Sequence, residues 1–283
     1  MEIIQFLQSL RHPILDVIFQ VLTFFGNEEF FLLFLPIAFW TWRKREMQRL
    51  TFLILISFAI NALLKNAFGL PRPPESLHLV HAEGFGLPSG HAQGAIVLWG
   101  YLALLTKKRW LRILFGVLIA GIAVSRLYLG VHFPSDVLAG LAIGGIWLWI
   151  FFQSAPKLES HWRSPLLSTI IMIIVLSVVF MNFTPTELGG TVGGILMGML
   201  PGILLEHRFM KLTTGNTLFR QIAKVIIGIT GILALYIGLK LWLPEMFVFR
   251  VTRYAIIGIW ISLIAPWVFV RMGLSEGRNN TSE

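Results

Sequence analysis

The sequence predicts an all-α, polytopic membrane helical bundle, on three observations. The 283 residues are 56% hydrophobic and 13% charged, with a mean hydropathy of +0.77 and 10 Trp, far from the make-up of an average soluble domain. The apolar residues fall into about nine runs near the length of a membrane-crossing helix. The stretches between these runs hold most of the basic residues, unequally divided between alternate connections. The absence of Cys removes disulfides, thiolate nucleophiles and Cys-ligated metals, and argues against redox chemistry.

At the N terminus Glu2, Arg11, His12 and Asp16 break the apolar character early, so neither a signal peptide nor its cleavage site is legible and the start reads as retained. Pro13 to Phe25 (PILDVIFQVLTFF) is apolar but short and carries Asp16, which fits an interfacial or re-entrant helix within an N-terminal segment 1–27. The nine expected transmembrane helices follow at about 28–42, 49–66, 87–106, 110–127, 134–153, 165–182, 188–205, 223–242 and 253–271.

Alternation of these helices puts 16 of the 23 Lys and Arg on one side, including Arg43, Lys44, Arg45, Lys107, Lys108 and Arg109. By the positive-inside rule that side is cytoplasmic. The net charge of +9 then reflects topology and contact with anionic membrane lipids. Nucleic acid is not an expected partner, because no basic stripe with interleaved aromatics occurs.

Three short polar segments stand out against this background: Lys65 to Pro73 (KNAFGLPRP), Pro88 to His91 (PSGH) and Ser125 to Asp136 (SRLYLGVHFPSD). Alternation brings all three to the side opposite the basic loops. Singly, each residue has a bland reading: Lys65 and Arg72 as snorkelling interface residues, His91 as a helix-start histidine, His132 as a loop histidine, and Asp136 as a helix-start charge. Together, charges this costly near lipid point to one anion site. Lys65, Arg72 and Arg126 supply positive charge, while His91, His132 and Asp136 offer a nucleophile, an acid and an orienting carboxylate. That set suits phosphoryl transfer from a monoester.

Local signals refine the picture. Pro71, Pro73 and Pro74 stiffen the loop that carries Arg72. Pro88 and Ser89 open a helix whose free amides at Ser89, Gly90 and His91 face anions favourably, and Gly90 admits close backbone approach. Pro134 fits the first turn of the next helix, which puts Asp136 within reach of the His132 imidazole. His78, His81 and Glu83 read as a solvated loop.

The pattern Lys-x6-Arg-Pro, Pro-Ser-Gly-His, Ser-Arg-x5-His-x3-Asp resembles the signature of the type 2 phosphatidic acid phosphatase (PAP2) family, the membrane lipid phosphate phosphatases, and every fixed position is matched between Lys65 and Asp136. The resemblance implies that His132 is a nucleophile forming a phosphohistidine and that Asp136 orients it. It implies that His91 protonates the leaving alkoxide and later activates water. Lys65, Arg72, Ser89, Gly90, Ser125 and Arg126 would cradle the phosphoryl oxygens. No cofactor and no metal is implied, the cations standing in for Mg²⁺. The expected activity is hydrolysis of a lipid phosphate monoester or lipid pyrophosphate, without metal, on the outer or lumenal side of a plasma (inner) or other membrane.

On this reading residues 28–155 form the catalytic membrane domain and 156–283 add four C-terminal helices, joined near Ser154 to Ser164. A glucose-6-phosphatase-like enzyme for a soluble sugar phosphate is the alternative, and a noncatalytic transporter or scaffold a remote third. A vanadate-dependent haloperoxidase shares the site pattern but not the apolar setting. Gly190, Gly194, Gly198 and Gly202, like Gly140 and Gly144, form small-residue stripes that predict tight packing within the chain, with a homodimer seam as the other use.

Overall fold

The computed structural model describes residues 1–161, 166–210 and 217–276, and among these every regular element is a helix. Two short helices, α1 (Glu2–Ser9) and α2 (Pro13–Phe24), precede α3 (Glu28–Thr41) and α4 (Lys44–Phe68). A loop containing one 3₁₀ turn (Glu75–Leu77) leads to α5 (Gly90–Leu105), α6 (Arg109–Tyr128) and α7 (Pro134–His161). The C-terminal helices are α8 (Leu166–Phe183), α9 (Glu187–Phe209), α10 (Leu218–Trp242), α11 (Phe247–Ile259) and α12 (Ala265–Arg271), with a π turn, Trp260–Ile264, joining the last two. The turn sits where Pro266 would otherwise meet the carbonyl of Ser262.

Each of the nine expected spans has its helix, but six of them are long and apolar enough to cross a membrane: 44–68, 109–128, 134–154, 187–209, 218–242 and the continuous 247–271. Among the described residues the apolar stretches 30–41, 90–105 and 168–183 are shorter. The chain is an integral, multi-pass membrane protein, and its exposed apolar side chains, such as Trp110, Ile113 and Val117 on α6 or Ile226, Leu233 and Ile237 on α10, are those a lipid-facing helix carries.

The contacts divide the chain into two compact units. The first comprises 1–32 and 56–160, the second 33–55 and 161–283. The division by contacts is thus discontinuous in sequence, residues 33–55 grouping with the C-terminal helices. The reason is local: Trp40 Nε1 donates to the carbonyl of Ile261 at 2.9 Å, Gly228 makes room for the Trp40 ring, and Lys44 pairs with the buried Glu206 at 2.5 Å. The expected join also differs, since α7 continues through Ser154 to His161; residues 162–164 of that join lie outside the described residues.

In the first unit α6 packs against α5 and against the N-terminal helices. Tyr128 donates to Asp16 Oδ1 at 2.6 Å and stacks on Phe19, while Gln8 Nε2 donates to the carbonyls of Leu77 and Tyr128. The Gly140–Gly144 stripe receives α5: a Cβ at Gly140 would lie 2.5 Å from the Ser89 carbonyl, and one at Gly144 2.8 Å from that of Gln93. In the second unit the α9 stripe receives α11, the Ala255 carbonyl standing against the place a Cβ at Gly198 would take. Both stripes therefore serve packing within the chain, the first of the two uses expected, and neither adds support for a homodimer seam.

Gly198→Ala is expected to lower Tm in detergent by several degrees, because overpacking against fixed backbone costs about 1–3 kcal/mol. Gly116→Ala and Gly238→Ala, where a Cβ meets nothing within 4 Å, are expected to leave Tm unchanged or slightly raised. Thermal unfolding of the three purified variants checks this.

Candidate active site

All three polar segments converge in the first unit, at one end of its helices: the C-terminal ends of α4 and α6 and the N-terminal ends of α5 and α7. Gly69 caps α4 with φ +59°, its N–H bonding the Lys65 carbonyl, and turns the chain into the loop. Gly86 N–H donates to the Leu70 carbonyl at 2.8 Å, which folds the loop back on itself. Gly86 also lies against the site: a Cβ there would sit 3.0 Å from Asp136 Oδ2 and from the Pro71 carbonyl.

Arg72 is held by backbone rather than by carboxylates. Its Nε donates to the carbonyls of Glu83 and Gly84, both at 3.1 Å, its Nη2 to Glu83 at 2.9 Å, and its Nη1 to Val131 at 3.0 Å. The same Nη1 stands 3.1 Å from His132 Nε2. Burial weighs against the Arg72 charge, and the Asp136 carboxylate partly offsets this. Lys65 Nζ donates to the Phe85 carbonyl at 2.5 Å, so the first two cations are anchored to one loop.

His132 is 2% exposed and Asp136 3% exposed. The imidazole Nδ1 faces Asp136 Oδ2 at 3.4 Å, and the same oxygen accepts the Phe133 N–H at 2.9 Å. With Nδ1–H turned to the carboxylate, the Nε2 lone pair points to Arg72. Burial first, then Arg72, Arg126 and Lys65, hold the His132 pKa well below the usual histidine range. The imidazole is therefore neutral at neutral pH, the form that attacks an electrophile.

Arg126 is buried; its Nη1 donates to Thr23 Oγ1, and among the described residues its Nε has no hydrogen-bond partner. Ser125, also buried, donates its hydroxyl to the Ile122 carbonyl at 2.6 Å, within its own helix. Ser89 caps α5, its Oγ accepting the Ala92 N–H at 3.5 Å. The Ser89 amide is not the free donor expected from the sequence, because it bonds the Asp136 carbonyl at 2.9 Å and so ties α5 to α7. Gly90 has the Asn61 amide as its near neighbour, 3.1 Å from where a Cβ would be. His91 Nε2 is 2.7 Å from Asn27 Oδ1.

The motif residues are thus together, and several of their partners carry no sequence signal of the same strength. Asn61 Nδ2 donates to the Pro88 carbonyl at 3.3 Å and to Gln93 Oε1 at 2.9 Å, and Gln93 Nε2 donates to the Ser57 carbonyl at 2.8 Å. Amides buried in otherwise apolar helices are the one sequence hint to this network. Thr23 and Asn27 have none. His78 bonds the Pro73 carbonyl and His81 pairs with Glu83 in the exposed part of the loop.

The cluster is thus positive overall and holds a neutral imidazole beside a guanidinium. Comparison with known proteins agrees. Residues 46–160 match the family described as "PAP2 superfamily", and residues 190–278 match "PAP2 superfamily phosphatase, transmembrane extension". A "Probable sphingosine-1-phosphate phosphatase" of Dictyostelium discoideum is 34% identical over 153 residues, 48% of this chain and 38% of that protein. A "Lipid A 4'-phosphatase" of Bacteroides thetaiotaomicron is 32% identical over 146 residues, 47% of this chain and 65% of that protein. The chain thus spans less than two thirds of the length of either. "Phosphatidylglycerophosphatase B" of Bacillus subtilis is 31% identical over 156 residues, 50% of this chain and 75% of that protein. The shared motifs, the all-helical membrane fold and these matches lead to one conclusion: this chain belongs to the PAP2 superfamily.

Proposed function

We propose that the protein is a membrane phosphatase that hydrolyses a lipid phosphate monoester or lipid pyrophosphate through a phosphohistidine at His132, with the site open to the outer or lumenal face. The observation that carries the reading is the neutral, buried His132 whose Nε2 faces Arg72, with Lys65 and Arg126 adding positive charge around it. The relatives named above for sphingosine-1-phosphate, lipid A and phosphatidylglycerophosphate support a phosphate on a lipid rather than on a soluble sugar.

In the first step the dianionic phosphoryl group settles among Lys65, Arg72 and Arg126, joined by amides at the start of α5. His132 Nε2 attacks phosphorus; the N–P bond forms as the P–O bond to the lipid breaks. His91 gives its proton to the departing alkoxide. In the second step water attacks the phosphohistidine, its proton passes to His91, and the N–P bond breaks to release phosphate. Asp136 holds the His132 Nδ1–H throughout and stabilises the charge that develops on the ring. The cations supply the electrostatic stabilisation that Mg²⁺ gives in other phosphoryl-transfer sites. Ser89 and Ser125 act mainly by fixing the ends of α5 and α6, as their hydrogen bonds favour.

The orientation rests on the division of basic residues, 16 against 7, about the alternating helices. It would place the site on the outer surface of a plasma (inner) membrane or in a lumen. There the substrate headgroup enters from the outer leaflet.

His132→Ala is expected to abolish turnover and the covalent intermediate together. Rapid quench with labelled substrate should trap an acid-labile, base-stable phosphoenzyme in the parent and none in the variant; steady turnover by the variant would remove His132 as nucleophile. Sidedness has its own check in this Cys-free chain. With single cysteines at the exposed positions Ser76 and Arg109, an impermeant maleimide applied to intact cells should label the first and spare the second. The reverse pattern would put the site on the cytoplasmic face.

A further inference from the structure

The turn between α2 and α3 precedes residue 46, where the family match begins, yet it touches two residues of the site. Thr23 accepts from Arg126 Nη1, and Asn27 Oδ1 lies 2.7 Å from His91 Nε2. The turn is braced: Gly26 N–H bonds the Thr23 carbonyl at 2.9 Å, Asn27 N–H bonds Phe24 at 3.0 Å, and the Asn27 carbonyl accepts from Phe31. Its backbone is also pressed close, since a Cβ at Gly26 would lie 2.8 Å from the Ile122 side chain and 3.5 Å from His91 Cδ2. The Cδ2–Nε2 edge of the His91 ring therefore faces this turn, and Nδ1 lies on the ring's other side.

On the phosphatase reading above, we infer that Asn27 is a positioning residue for catalysis: its amide oxygen takes the Nε2–H of His91, so that Nδ1 is the nitrogen that exchanges the proton with the reacting group. An amide oxygen accepts only from a protonated nitrogen, which fixes the tautomer. When the P–O bond to the lipid breaks, the Nδ1 proton goes to the alkoxide and leaves His91 neutral with Nε2–H still on Asn27. When water attacks the phosphohistidine, its proton returns to Nδ1. The acceptor being an amide and not a carboxylate has a consequence. A carboxylate would hold the imidazolium and retard proton release, whereas the neutral amide orients the ring and leaves the proton free to move. Among the described side chains, the charged and titratable groups that act on His91 are Arg126, His132, Arg72 and Lys65, all cationic or neutral, so a negative charge placed at residue 27 changes this field.

The test uses the full chain in detergent, measuring phosphate release from phosphatidic acid, phosphatidylglycerophosphate and sphingosine 1-phosphate in mixed micelles. Asn27→Leu is expected to lower kcat about 10- to 100-fold, the range for loss of a hydrogen bond that orients an active-site histidine. In a His91→Ala background the same change is expected to add nothing, because Asn27 acts through His91. Asn27→Asp keeps the hydrogen bond and the volume, so it carries the test where Asn27→Leu does not fold; the high-pH limb of kcat, where His91 loses the acid proton, should move up by about a unit or more. Parent-like kcat and pH limb in the Asn27 variants, or losses that multiply in the double variant, would overturn the role of Asn27 alone. A parent inert on all three lipids and forming no phosphoenzyme would overturn the phosphatase reading itself, a result the Asn27 variants cannot produce.

Discussion

A half-buried guanidinium held by carbonyls organises this site. Arg72 leaves the first polar segment and spends its donors on Glu83 and Gly84 within its own loop and on Val131 in the connection between α6 and α7. One side chain thereby joins two connections that are 59 positions apart in sequence, and it delivers Nη1 to His132 Nε2. Because its partners are neutral dipoles, the guanidinium stays charged without being neutralised. Lys65 is treated in the same way by the Phe85 carbonyl and Arg126 by the Thr23 hydroxyl. Positive charge is therefore stored next to a neutral imidazole, and on the proposed function an arriving phosphate dianion would meet donors already in place, which is how preorganised sites gain their rate.

That arrangement makes demands on the helices around it. The carboxylate that faces His132 Nδ1 comes from α7, in its first turn, where Asp136 also takes the Phe133 amide. The close seat of α7 on α5 depends on Gly140 and Gly144, and the Ser89 amide bonds across it to Asp136. The buried Asn61, Gln93 and Ser57 chain then holds the Pro88 turn to α4. Apolar helices thus carry, on their inward faces only, the polar groups that fix the ends on which the chemistry depends.

The parts of this design legible in the sequence were those with repeated or charged signals. Long apolar runs located the helices, and the order Lys65–Arg72, Ser89–His91, Ser125–Asp136 named the residues that the fold brings together. Alternation of helices sufficed to bring these segments to one end. What stayed hidden was of two kinds. The Ser89 amide was expected to be free because a helix start leaves its first N–H groups unpaired; its partner, the Asp136 carbonyl, is a backbone group with no sequence signature. Thr23 and Asn27 were invisible because a hydroxyl or an amide before an apolar helix is ordinary, and only the fold of the N-terminal turn shows what it touches. The number of full crossings was also beyond reach of hydropathy alone, since helix 90–105 is apolar throughout yet short.

The central claim is that catalysis depends on a guanidinium whose planar set of donors is fixed by backbone carbonyls against His132. Arg72→Lys tests it most directly, because lysine keeps the charge but cannot meet the carbonyls of Glu83, Gly84 and Val131 and the imidazole together. Steady-state phosphate release from lipid micelles, with Tm measured on the same samples, should show kcat/KM down by about 10²- to 10³-fold at little cost in Tm. Full activity in Arg72→Lys would contradict the account, leaving charge alone as all that the site requires of this residue.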